Sequence, residues 1–354
     1  MIRSNNRVID FQALKIDALL VTALPNVRYV TGFTGSNGVA LITPDRTVLF
    51  TDPRYTIRAG QEFGGKVVTS RLPLALTAIR SLGKRSRARI GVEAEHLSHA
   101  GYETLLRKRR EGQRLRPVAG VVEAFRAIKD QEEITAIRAA VEVNSHAFSR
   151  VLKRIKLGVT EKEIAAELDY QQKLLGADGA SFDAIVSFGP RSALPHASPS
   201  AIRLENDAII LMDVGANLNG YASDMTRMAV LGKAPTGFRR MYQAVLKAQL
   251  AAIDSVREGV TAESVDRAAR NVLKAEGLDK LFVHSTGHGL GLEIHEAPSL
   301  RKKDKTRLRA GMVITIEPGV YKEGFGGVRI EDTVVVTPNG CEILTPTTKE
   351  LICL

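Results

Sequence analysis

The chain has 354 residues, 44% of them apolar and 25% charged, with a formal net charge of +11 at pH 7. That length suits two domains, and the composition excludes a disordered chain. No run approaches the ~18 apolar residues of a membrane span, and the two cysteines, Cys341 and Cys353, cannot build a disulfide framework.

The opening stretch MIRSNNRVIDFQ lacks the apolar core of a signal peptide, so a cytoplasmic protein is expected. The positive charge gathers at residues 84–87, 107–110 and 301–309. No aromatic residues interleave there to stack bases, so these runs read as solvated faces, with no specific nucleic-acid partner and no membrane.

Residues 17–22 (DALLVT), 38–43 (GVALIT) and 47–51 (TVLFT) predict strands, the last two joined by a Pro44-Asp45-Arg46 turn. Residues 53–63, 73–82 and 98–111 predict helices, the first two with Pro in the first turn. This is an α/β pattern without a phosphate loop or a nucleophile motif, so the chemistry is expected further on. Residues 24–38 (LPNVRYVTGFTGSNG) read as a loop, either a plain connection or a substrate-facing or inter-subunit segment.

Around residues 116–130 the pattern changes to a long amphipathic helix, which places domains at 1–122 and 123–354. Asp130 and Glu133 form a capping box, followed by Ile134, Ile137, Val141, Phe148, Leu152 and Ile155 on one face. Gly158 is read as the end of that helix, and Thr160 with Glu163 opens another to about Leu175. The triplet Gly158-Val159-Thr160 recurs as Gly259-Val260-Thr261, again after an amphipathic helix, 238–257. Each copy runs helix, GVT, helix, then a strand pair with two acids: Asp213 and Asp224, then Glu317 and Glu331. Two similar halves about a pseudo-two-fold axis are therefore expected, with four carboxylates between them.

Residues 209–212 read as a buried strand, Asn219-Gly220 as a two-residue turn and 221–230 as the returning strand, so that Asp213 and Asp224 face each other near the turn. A buried carboxylate needs a cation, a hydrogen-bond cage or a metal. The alternative is a capped turn with Asp224 at the surface. Downstream, His284, His288 and His295 lie within a Gly-rich segment, Glu317 ends the strand 313–316, and Arg329 and Glu331 share one face of a strand 328–336. Four carboxylates and one imidazole match the charge of two divalent cations, a hydrolytic arrangement. The competing reading is an ion-pair network around Arg329.

At these residues the chain resembles the pita-bread metallopeptidases, the family of methionine aminopeptidase, Xaa-Pro aminopeptidase and prolidase. Residues 24–38 and Ala127-Ile128-Lys129-Asp130 are similar to the Xaa-Pro subgroup. The resemblance implies a creatinase/prolidase-like α/β amino-terminal domain followed by an α+β pita-bread domain of duplicated helix-helix-hairpin halves. It implies metal ligands at Asp213, Asp224, His288, Glu317 and Glu331, and a homodimer. It also implies that His196, from Leu194-Pro195-His196, acts with His284 and His295 on the substrate carbonyl and the tetrahedral intermediate. Glu317 would orient a metal-bridging hydroxide and carry its proton to the leaving nitrogen. Arg329 and Tyr321 would hold Asp213.

The expected activity is hydrolysis of the Xaa-Pro bond at the amino terminus of proline-containing peptides, with two divalent ions, Mn foremost and Co or Zn as alternatives. Several dipeptide-specific members carry Arg after the Pro of a His-Glu-x-Pro run. Here His295-Glu296-Ala297-Pro298 is followed by Ser299, which favours an aminopeptidase over a strict prolidase, although Arg301 stands nearby. The alternative from another class is a non-catalytic pita-bread module that binds a partner.

Overall fold

The computed structural model describes residues 8–83 and 87–354. The first residues of the opening stretch and Lys84, Arg85 and Ser86 of the basic run lie outside them. The chain forms two compact units that meet in sequence at Arg126 and Ala127. The short helix Glu123–Arg126 is tied to the first unit, because Arg126 donates to the Asn26 side chain at 2.7 Å.

The first unit is a six-stranded mixed sheet in the order Lys66–Thr69, Thr47–Thr51, Gly38–Ile42, Ala18–Val21, Arg89–Glu93, Arg114–Val118. Leu20, Leu41, Phe50, Ile79 and Ile90 form part of its buried core. The last strand of this sheet, Arg114–Val118, is polar on much of its length, which hides it from a reading based on alternation. Residues 24–38 are not all loop, since Leu24–Thr31 is a helix. Its cap is tertiary: the Glu93 carboxylate, from a strand far along the chain, accepts from Ala23 N at 2.9 Å and from the Asn26 side chain at 2.7 Å. A cap supplied from so far away leaves no local sequence signature.

The second unit repeats one plan twice. Helix Gln131–Leu152 opens with the Asp130–Glu133 capping box and buries Ile137, Val141, Phe148 and Val151 at helical spacing. Each such side chain removed from water contributes about 1.5–3 kcal/mol. That helix stops at Leu152 rather than at Gly158, which instead makes a turn at φ +84° just before the capped helix Glu161–Leu174. The second copy runs from Phe238–Ser255 through Gly259, also at φ +84°, to Ala262–Ala275.

Each GVT segment pairs with an Arg-Leu pair that follows. Thr160 bridges Arg203 and Thr261 bridges Arg307. Arg203 Nη1 donates to Gly158 O at 2.8 Å and Arg307 Nη1 to Gly259 O at 2.7 Å. Arg203-Leu204 and Arg307-Leu308 are therefore a further element of the duplication, visible in the sequence once the offset is known. Each half then contributes a sheet. The first has the order Ile352–Cys353, Met225–Leu231, Ala208–Val214, Ile185–Phe188. The second has the order Glu296–Leu300, Gly287–Gly289, Val313–Ile316, Asp332–Val336, Cys341–Ile343. Among the described residues no helix is long and apolar enough to cross a membrane.

Candidate metal centre

The first acid pair stands where a hairpin breaks. Asp213 is paired with Thr226, not with Asp224, and the ladder between Ala208–Val214 and Met225–Leu231 ends at Val214 and Met225. Beyond it the hairpin tip joins a different sheet, with Asn217 paired to Ala222. Gly215 makes this possible, since a Cβ there would lie 2.3 Å from Ser223 O. Ser223 stitches the break, its hydroxyl bonding both Ala216 N at 2.9 Å and Ala216 O at 3.0 Å. Asp224 follows this break, one residue before its strand, and is 5% exposed, which excludes a surface turn.

The second half makes the same break. The expected continuous strand 328–336 is two strands, Gly326–Arg329 in a small hairpin with Gly319–Lys322 and Asp332–Val336 in the larger sheet. Glu331 lies in the gap, one residue before Asp332–Val336, as Asp224 lies before Met225–Leu231. Glu317 comes one residue after Val313–Ile316. The two breaks free Asp224 and Glu331 from regular pleating, while Asp213 stays in its ladder and Glu317 stands just past the end of its strand.

Three donors, Asp224, His288 and Glu331, have ligand atoms that all lie within 4.8 Å of one another. His288 Nε2 is 3.5 Å from Asp224 Oδ2 and 3.6 Å from Glu317 Oε1. Its Nδ1 lies 3.0 Å from Gly289 O, and a carbonyl only accepts, so Nδ1 carries the hydrogen and the Nε2 lone pair faces the carboxylates. A lone pair aimed at two acceptor oxygens calls for a cation between them. The same demand appears on the acids, where Asp213 Oδ1, Asp224 Oδ1 and Glu331 Oε1 are buried without a hydrogen-bond partner.

The electrostatics agree with that demand. Burial pushes the Asp224 carboxyl well above its usual range, and the charges of Asp213 and Glu317 add to the push. Burial does the same at Glu331, reinforced by Asp224 and Glu317, and it raises Glu317 as well. Acids that repel one another in this way are a donor set whose repulsion a bound divalent cation relieves.

Arg329, 3% exposed, ties this cluster together. It donates from Nη2 to Asp213 Oδ2 at 2.5 Å, from Nη1 to Tyr321 Oη at 2.6 Å and from Nε to Thr226 Oγ1 at 3.1 Å. Thr226 passes the contact on, donating to Glu331 Oε2 at 2.8 Å. Sequence reasoning missed Thr226, and its signal was its place two residues after Asp224, opposite Asp213 in the ladder.

A cleft of about 300 Å³ opens onto Asp213, Asp224, His288 and Glu317. His196 and His295 line it too, with Phe182, Ala184, Ile185 and Ile294 among the apolar walls. The His288 and His295 rings meet edge to face at 4.4 Å, and burial beside His288 and His196 lowers the His295 pKa. His284 is not among the lining residues. Its Nδ1 donates to Ser285 O at 2.7 Å, and its Nε2 accepts from Tyr321 Oη at 2.8 Å. Burial and the Arg329 charge lower its pKa to about 4, so the ring stays neutral at pH 7. In this arrangement Tyr321 holds the His284 nitrogen that the resemblance expects to face the substrate.

Comparison with known proteins agrees with the expected family. Residues 135–338 match the model of metallopeptidase family M24, and residues 10–128 match the creatinase/prolidase N-terminal domain. The chain is 37% identical to an Xaa-Pro dipeptidase of Pyrococcus horikoshii, covering 98% of this chain and 97% of that one. An Xaa-Pro dipeptidase from Bacillus anthracis superposes with a TM-score of 0.94 at 36% identity, covering 97% of each chain. An X-Pro aminopeptidase from Thermotoga maritima superposes with a TM-score of 0.89 at 34% identity, covering 97% of this chain and 99% of that one. With its creatinase-type amino-terminal domain and pita-bread catalytic domain, the chain belongs to metallopeptidase family M24.

Proposed function

We propose that the protein is a cytoplasmic, homodimeric peptidase that hydrolyses the bond before proline at the amino terminus of peptides, with the reaction carried by residues 123–354. The observation that carries the metal-dependent reading is the convergence of three orphaned carboxylate oxygens and the His288 lone pair beside one cleft. Asp213, Asp224, His288, Glu317 and Glu331 would hold two divalent ions. When bound, these would neutralise the acids, lower the pKa of a water and polarise the scissile carbonyl. Four carboxylates and one imidazole suit manganese foremost, with cobalt or zinc as substitutes.

The chain's own residues supply the rest. Glu317, which lines the cleft, would take a proton from the attacking water and deliver it to the leaving proline nitrogen, which has no hydrogen of its own. His196 and His295, facing the cleft, would donate to the carbonyl oxygen as negative charge develops there. His284 acts at one remove, by orienting Tyr321 and through it Arg329. Phe182, Ala184 and Ile294 offer an apolar wall suited to a pyrrolidine ring.

Relatives named Xaa-Pro dipeptidase and X-Pro aminopeptidase support the proline requirement. Peptides longer than two residues are favoured because, among the described residues, no Arg or Lys lines the cleft to hold a free carboxylate next to proline. Turnover of Ala-Pro-Ala and Ala-Pro, with EDTA and with Mn²⁺ restored, is the test. Chelator-sensitive cleavage of both, or of the tripeptide alone, is expected. Cleavage of Ala-Pro alone would replace this reading with a strict dipeptidase, as in the relatives of that name. A protein that binds no metal and cleaves neither would be a binding module.

A further inference from the structure

Residues 282–286 bring His284 to the centre, yet they belong to no helix or strand. The segment's backbone is held at one end, where Thr286 N donates to Leu300 O at 2.8 Å, and the residues before it need anchors from elsewhere. Two anchors stand one turn apart on the helix Ala262–Ala275. Asp266 and Arg270 are paired through Oδ2 and Nε at 2.7 Å, and their side chains are 1% and 19% exposed. The Arg270 fork reaches on to His284 O at 2.6 Å and Phe282 O at 3.3 Å. Its guanidinium also lies over the Phe282 ring, 4.2 Å from the centroid.

The other carboxylate oxygen, Asp266 Oδ1, accepts from Thr286 Oγ1 at 2.8 Å. Thr286 leads straight to the candidate ligands, because its carbonyl accepts from Glu317 N at 2.8 Å. The one ion pair therefore touches both arms of the centre. Through Thr286 it reaches Glu317, and through His284 it reaches Tyr321 and then the Arg329–Asp213 contact. The Asp side chain spends both oxygens, and the Arg side chain all three nitrogens, on this segment and on each other. A pair that served the helix alone would need only the i,i+4 contact.

Building on the metallopeptidase reading, we propose that Asp266 and Arg270 are positioning residues for the metal centre. They clamp residues 282–286 so that the Glu317 backbone and the His284 imidazole keep the geometry the reaction needs.

The test is a double-variant cycle between Arg270→Lys and His284→Ala, measuring kcat and KM on Ala-Pro-Ala. Lys keeps the cation beside Asp266 but lacks the fork that spans Asp266, Phe282 and His284 at once. Arg270→Lys should lower kcat roughly 10- to 100-fold with KM little changed. The loss should largely vanish when His284 is already Ala. Equal losses in both backgrounds, or unchanged kcat in Arg270→Lys, would overturn the clamp.

If Arg270→Lys does not fold, Asp266→Asn combined with Arg270→Gln leaves no unpaired charge and takes its place in the cycle. A second readout needs no turnover: the ring ¹⁵N signals of His284 in chelated protein, identified by their loss in His284→Ala. They should shift in the Arg270 variant, while those of exposed His146 stay. If the wild-type protein cleaves no proline peptide, the functional reading fails by itself, and unmoved His284 signals would still overturn the clamp.

Discussion

Arg329 donates to Asp213 Oδ2 at 2.5 Å, and this buried contact, with Thr226–Glu331 and Arg227–Asp332 beside it, joins the two halves of the duplicated domain. Asp213 comes from the first acid-bearing strand pair and Arg329 from the second, so the guanidinium fixes one half's ligand from the other half's hairpin. It is a cation permanently present among four carboxylates, and it lessens the repulsion that remains before any metal binds.

Removing that cation should be felt twice. Arg329→Met leaves Asp213 without its charged partner in a site that water cannot reach freely, which costs about 3–5 kcal/mol for a broken buried pair. Urea unfolding of chelated protein should show that loss, and kcat of the metal-loaded variant should fall roughly 10- to 100-fold. Wild-type stability together with wild-type turnover would remove Arg329 from the network.

The pH dependence of the chelated protein has a definite sign. Asp224 and Glu331 are pushed above their ordinary values of 3.8 and 4.5 in the fold, so the folded chain holds protons that the unfolded chain releases. Their contribution is favourable below that range and is lost as pH rises through the folded values. Chelated protein should therefore lose stability as pH rises above the ordinary carboxylate range, with the slope set by linkage. Glu331→Gln should flatten the profile, and Mn²⁺ should restore the wild-type protein at the high end. A chelated wild-type protein that gains stability over this interval would contradict the buried-acid arrangement.

Lys129 and Glu296 form a second buried pair, 3.0 Å apart with side chains 1% and 6% exposed, and Glu296 directly follows His295. Lys129→Met should cost about 3–5 kcal/mol because it takes the ammonium away from beside a buried carboxylate. Adding Glu296→Gln should recover a large part of that cost, since the carboxylate's charge is then gone too. Denaturant midpoints of the two variants provide the comparison, and equal stability of the two would argue against a paired charge.

The two free cysteines should separate cleanly toward a thiol reagent. Burial raises the Cys341 thiol to about 11, whereas Cys353 is exposed near the chain end. Iodoacetamide at pH 7.5, followed by mass spectrometry of peptides, should label Cys353 and spare Cys341 in the folded protein. Equal labelling before denaturation would mean that residue 341 is more open than its surroundings imply.

Much of this architecture was legible in the chain because its signals are local. The capping boxes at Asp130 and Thr160 depend on residues three apart, and the helix faces on spacing within a few turns. The repeated GVT segments and the four acids at matching offsets expose the duplication without any coordinates. The four acids were likewise readable as types that tolerate burial only with a partner, while the choice of His288 among three histidines came from the resemblance.

What tertiary structure decided is every relation that spans tens of residues. The helix Leu24–Thr31 takes its cap from Glu93, and the ladder break at Asp224 exists because Gly215 and Ser223 allow a strand to change sheets. His284 reads in sequence as a partner of His288 and His295, yet Tyr321 takes its Nε2 and leaves it outside the cleft lining. Propensity and period act over a turn or a strand, whereas a nitrogen's partner depends on which distant segment packs against it. The residue types were written in the chain, and their pairing was settled by the fold.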